Sequence, residues 1–111
     1  MFGKHEETGY IKALEGIEPK TLVFGEHTLM SKFILLMGYE LPMHKHSQEQ
    51  IGYLIEGHIL LTIGEEQRDM YPGDSWNVPE GIIHGAKIIE DSIALEVFSP
   101  IREDYLPQLI R

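Results

Sequence analysis

The sequence predicts an all-β protein closed into a small antiparallel barrel, and three observations carry that expectation. Glycine or proline recurs at positions 9, 16, 19, 25, 38, 42, 52, 57, 64, 72, 73, 79, 81 and 85, which leaves little room for a long helix. The stretches between them are of strand length and rich in β-branched, aromatic and aliphatic residues, several alternating apolar with polar. Finally, His44, His46 and Gln50 share one parity, so an extended backbone would turn all three to the same face, with His84 placed to join them from a neighbouring strand. A closed barrel suits such a set, because its inward positions converge on a lumen that holds one small ligand.

The elements follow in order. Residues 1–28 form an N-terminal strand segment, with a strand at 21–24, and residues 29–37 form a second, largely apolar strand ending at Gly38. Strands are expected at 50–55 and 59–63, joined by Glu56-Gly57-His58 read as a hairpin turn. Gly64-Glu65-Glu66 reads as the next turn, and residues 65–69 form the most polar strand candidate. Tyr71-Pro72-Gly73-Asp74 is a turn signal that feeds a strand at 75–78. Strands at 86–89 and 92–98 complete the set, and residues 102–111 resemble a helix or tail interrupted at Pro107.

The chain of 111 residues suits one domain with a modest core, and residues 1–111 are read that way. A net charge of −9 disfavours nucleic acid, whose binding needs Lys and Arg against phosphate, and disfavours an anionic membrane surface. The absence of cysteine removes disulfides and thiolate ligands and fits a reducing compartment. No apolar run approaches the ~20 residues of a membrane span, and the start of the chain lacks an apolar signal core, so a cytoplasmic protein is expected.

Three imidazoles and an amide oxygen suit a divalent transition ion such as Mn, Fe, Co, Ni, Cu or Zn. The imidazoles must be neutral to bind, so affinity is expected to fall below the usual histidine pKa of roughly 6.5. Glu49 lies on the opposite phase from Gln50 and is not taken as a ligand. His5, His27 and His58 have no partner at ligand spacing and read as solvated, as do Glu18, Glu65 and Glu66, whereas Met37, Tyr53 and Trp76 read as lumen or core.

Residues 38–57 run Gly38-x5-His44-x-His46-x3-Gln50-x6-Gly57, and within residues 73–88 the chain runs Gly73-x5-Pro79-x-Gly81-x2-His84. The two stretches resemble both sequence motifs of the cupin superfamily, which implies a double-stranded β-helix, or jelly roll, holding one metal. Gln50 stands where that family usually has Glu, and Ile88 where it usually has Asn. An amide oxygen adds no charge, so the bound ion would stay more electrophilic than beside a carboxylate.

Glu49-Gln50-Ile51-Gly52-Tyr53 and the ending Glu96-Val97-Phe98-Ser99-Pro100-Ile101-Arg102 narrow the resemblance to small single-domain, KdgF-like cupins of pectin degradation. That resemblance implies His44, His46, Gln50 and His84 as metal ligands. It also implies ring opening and ketonisation of 4,5-unsaturated monouronates. Glu96 and Arg102 would be catalytic, and Arg102, Phe98 and Trp76 would bind the sugar acid. Glu96 occupies a position where Asp is expected. From chemistry alone, Arg102 suits a carboxylate clamp and Glu96 a proton shuttle. The bland alternatives are a Glu96–Arg102 ion pair at the mouth and Phe98 and Trp76 as packing.

Three function classes remain: this isomerase-like enzyme, a metal-dependent dioxygenase, and a ligand-binding or sensing domain without turnover. A homodimer is also expected, paired through an edge at residues 29–37 and the N-terminal segment.

Overall fold

In the computed structural model, which describes residues 1–106, seven strands and one short 3-10 turn account for the regular structure. They are β1 (Ile17–Phe24), β2 (Leu29–Leu35), β3 (Glu40–His44), β4 (Glu49–Ile63), β5 (Glu66–Met70), β6 (Ser75–Val78), β7 (His84–Ser99) and the turn Glu103–Tyr105. All pairings are antiparallel. Two long strands, β4 and β7, run beside each other from Glu49↔Ser99 to Ile63↔His84 and act as the spine. One half of this ribbon continues sideways into β2 and β1 on one flank and β6 on the other; its other half continues into β3 and β5.

The halves must fold over one another. A straight strand rises about 3.4 Å per residue, so His84 and Glu96 of β7 would lie roughly 40 Å apart. Yet both line one cavity. The bend is built from register shifts in β4 between Leu54 and Ile59, where the ladder to β7 is interrupted three times. Gly57 sits at its centre with φ +99°, and a Cβ there would overlap Ser92 Oγ and the Asp91 carbonyl. Ser92, itself buried, accepts the His58 N–H at 3.0 Å and donates to the Glu90 carbonyl at 2.7 Å, so the bend keeps its polar groups satisfied. The expected hairpin turn at Glu56-Gly57-His58 is therefore a bulge inside one strand. The gap left between 86–89 and 92–98 is likewise continuous β7. Glycine with polar neighbours serves both a turn and a bulge, and only pairing with β7 distinguishes them.

The core fills the space between the halves. In β2, Leu29, Phe33 and Leu35 point inward with Ser31, while Met30, Lys32 and Ile34 point out. Ile17, Leu54, Ile59, Leu61, Ala86, Ile88, Ala94 and Phe98 join them in one cluster. Two other expectations change here. Met37 and Tyr53 are exposed rather than inward, because Met37 lies beyond the end of β2 and Tyr53 takes the outward phase of β4. β2 is paired on both sides, by β1 and β7, and so offers no free edge for a second copy. β3 was not anticipated, since Pro42 and two exposed positions disguise it. Residues 107–111 of the expected helix or tail lie outside the described residues; within them, the chain after β7 makes the turn Glu103–Tyr105.

Candidate metal centre

His44 closes β3, directly opposite His84, the first residue of β7. His46 follows in the short connection to β4, and Gln50 is the second residue of that strand. Residues 45–48 lie outside the strands and the chain bends at Ser47 and Gln48, so shared strand parity alone does not account for His46 meeting the others. The ring centroids of His44, His46 and His84 are separated by 5.6, 4.2 and 4.8 Å, and one nitrogen of each lies within 4.8 Å of the others.

Hydrogen bonds orient every ring alike. Nδ1 of His44 faces the Pro42 carbonyl at 2.9 Å, that of His46 the Gln48 carbonyl at 3.0 Å, and that of His84 the Ile82 carbonyl at 2.9 Å. A carbonyl only accepts, so each Nδ1 carries the proton and each Nε2 keeps a lone pair. His84 Nε2 is buried with no partner among the described residues, and His46 Nε2 faces the Oε1 of Gln50 at 3.1 Å, one acceptor against another. Lone pairs crowded together with no proton between them suit a cation. The three imidazoles are thus positioned to hold one metal ion, and the donor set fits a divalent transition ion.

Burial pushes the His84 pKa down to about 4 and lowers that of His46, where the Arg102 guanidinium adds to the effect. Burial thus favours the neutral, metal-binding form of both rings. The stability consequence has a definite sign. In an unfolded chain His84 gains a proton near pH 6.5, whereas folded it resists until about 4, so stability is lost as pH falls across that window. Metal-free protein is expected to lose on the order of 3 kcal/mol between pH 6.5 and 4 from this group. Denaturant melts of His84→Gln in chelator should show a correspondingly shallower slope; an unchanged slope would remove His84 as the cause.

His44 and His84 line a cavity of about 380 Å³ whose walls are largely apolar. Glu96 is buried in it, accepting the Gln50 Nε2–H at 2.7 Å and the Trp76 indole N–H at 3.0 Å. Burial pushes its pKa up to about 8, against the pull of those two donors. Phe98 is fully buried as part of the wall, with its ring 6.0 Å from that of His46. Arg102 lies over the rings of Phe98 and Tyr105, at 5.2 and 4.3 Å from their centres. Its ion pair is with Asp104, at 2.7 and 3.2 Å, and not with Glu96.

Asp104 and Tyr105 were missed because the tail after β7 carries no strand pattern. Arg102 followed two residues later by an acid was the signal available. Thr21 Oγ1 donates to the Tyr105 carbonyl and ties this turn to β1. Away from the cavity, Glu49 accepts from Asn77 at the surface, as its phase implied, and His5 and His27 are exposed. His58 is not solvated: its Nε2 lies 2.7 Å from Asp69 and its ring stacks on Tyr71 at 4.5 Å.

Comparison with known proteins agrees with this architecture. The chain is 28% identical over 103 residues to the pectin degradation protein KdgF of Dickeya dadantii (strain 3937), covering 91% of this chain and 94% of that one. The structure of KdgF from Halomonas sp. superposes with a TM-score of 0.89 at 29% identity, over 96% of this chain and 98% of the other. An RmlC-like cupin from Shewanella frigidimarina NCIMB 400 matches with a TM-score of 0.89 at 28% identity, covering 95% of each chain. No helix among the described residues is long and apolar enough to cross a membrane. Residues 32–100 match the Cupin domain family, more than half of the chain, and with the barrel and its three converging histidines this makes the protein a member of the cupin family.

Proposed function

We propose that this protein is a metal-dependent enzyme that opens and ketonises 4,5-unsaturated monouronates, with His44, His46, Gln50 and His84 holding the ion. The observation that carries the reading is the meeting, in one cavity, of a cation-demanding lone-pair cluster, a proton-retaining carboxyl and a guanidinium. Kinship with a pectin degradation protein supports the substrate class.

The reaction is an isomerisation. The C1 hydroxyl loses its proton, the bond from C1 to the ring oxygen breaks, and C4 gains a proton, leaving an aldehyde at C1 and a ketone at C5. Arg102 binds the substrate carboxylate. Asp104 occupies Nε and one N–H of Nη2, which among the described residues leaves the Nη1 and Nη2 edge open for a second two-pronged contact. The aromatic rings beneath fix the plane of that fork. Glu96 carries a proton at neutral pH, can deliver it toward C4, and is recharged by the proton lost from the hydroxyl, so the proton count closes. The bound ion would supply Lewis acidity to a substrate oxygen on which negative charge develops.

The test follows loss of the C4=C5 ultraviolet absorbance of freshly lyase-generated monouronate, with an enzyme-free control because the sugar rearranges unaided. Metal-loaded protein is expected to accelerate the decay, and His46→Ala to return it to the control rate. Decay at the control rate with metal confirmed in the protein would overturn the reading, and Fe-dependent oxygen uptake would replace it with dioxygenase chemistry.

A further inference from the structure

We propose that Trp76 is a positioning residue for the ligand Gln50: its indole N–H, seated over the bare Cα of Gly52, holds Glu96, and Glu96 holds the Gln50 amide with its oxygen toward the imidazoles. This rests on the metal reading above and concerns what sets the orientation of its fourth ligand.

The two ends of a carboxamide are nearly the same in shape, so only its partners decide which end faces the histidines. Turned the other way, Gln50 would offer N–H groups, which cannot ligate. Glu96 decides the matter locally, because its Oε2 accepts the Gln50 Nε2–H at 2.7 Å and leaves Oε1 of the amide facing His46. The other oxygen of Glu96 takes the Trp76 N–H at 3.0 Å. An indole nitrogen only donates, so Trp76 holds Oε1 of Glu96 as an acceptor and orients the carboxyl with its other oxygen, Oε2, toward the Gln50 amide.

The backbone is arranged for this contact. Trp76 on β6 pairs with Gly52 on β4, and Gly52 pairs in turn with Glu96 on β7, so the three form one cross-strand row. Gly52 is buried on the inward phase of β4, between Gln50 and Leu54. A Cβ at Gly52 would overlap the indole at its Nε1 and Cε2 atoms. The missing side chain lets Trp76 reach across a whole strand to the carboxyl. Gly52 is therefore required by packing, since it has no positive φ to explain it.

The experiment titrates Co2+ into chelator-treated protein by calorimetry and records the Co2+ d–d absorption, which reports the ligand set. Wild type, Gln50→Ala, Trp76→Phe, Gly52→Ala and the double variant Gln50→Ala/Trp76→Phe are compared, with circular dichroism confirming the fold of each. Trp76→Phe and Gly52→Ala are expected to weaken binding 10- to 100-fold, about the loss seen when the hydrogen-bond partner of a ligand is removed, and to shift the spectrum toward that of Gln50→Ala. In the Gln50→Ala background, Trp76→Phe should change affinity by no more than about twofold, because the residue it acts through is already gone. A merely structural tryptophan would cost as much in both backgrounds, and that result overturns the proposal. So does a Trp76→Phe protein with wild-type affinity and spectrum. If Gln50→Ala alters neither readout, the proposal falls while binding by three histidines stands; if wild type binds no Co2+, the metal reading falls and takes this proposal with it. Should Trp76→Phe fail to fold, Gly52→Ala alone must show the loss.

Discussion

Glu96→Gln is expected to lower kcat on an authentic unsaturated monouronate by about 10²- to 10⁴-fold, the usual contribution of a positioned proton donor. The substitution keeps the shape of the side chain and removes only its ability to give and take a proton. The assay is run at saturating metal, because the introduced amide would present an N–H to one of the two donors that now bind Glu96 and so disturb Gln50 as well. The pH profile separates the two effects. Burial keeps Glu96 protonated up to about pH 8, so wild-type kcat should decline as pH rises through that value, when the acid form disappears. The residual activity of Glu96→Gln should show no such limb. Full activity in the variant would remove Glu96 from proton transfer, whereas lost activity with the alkaline limb intact would reassign that limb to another group.

Gly57→Ala is expected to cost on the order of 3 kcal/mol in folding stability, combining a non-glycine residue at positive φ with overpacking against a fixed backbone. Its Cβ would meet backbone atoms of Asp91 and Ser92, which cannot swing aside as a flexible side chain could. Equilibrium denaturation of metal-free protein measures this directly. A loss below about 1 kcal/mol would mean that the bend in β4 is not held at Gly57. The effect exceeds what glycine's usual advantage in a surface turn would predict, which is the practical difference between the hairpin that the sequence implied and the bulge that the fold contains.

The difference shows what was readable and why. β2, β5 and β6 were visible as alternation or as a run bounded by turn residues, because each pairs simply and lies between clear breaks. β4 and β7 were each read as two shorter strands. Their interruptions, Gly57 and the Glu90-Asp91 pair, are local chemistry, while their continuity is a property of the ladder between them. The structure brings His44, His46 and His84 together with Gln50 beside His46, and shared parity is only part of the reason: the connection between β3 and β4 bends at Ser47 and Gln48, and backbone carbonyls two residues away set each ring. Glu96 and Phe98 were legible as partners on one face of the last strand. The partnership of Arg102 with Asp104 was not, because a short turn after a strand carries no periodicity to read.

The single ladder between β4 and β7 has a consequence for errors in assembly. Gln50 pairs with Phe98 at one end of it and Ile63 pairs with His84 at the other, with the bend between. A slip of β4 by one residue would turn Gln50 outward, send Leu54 and Ile59 to solvent, and part His84 from its proper neighbour in the same stroke. A wrongly zipped copy of this protein would therefore lose its core and its histidine cluster together, so the two are assembled or lost as one.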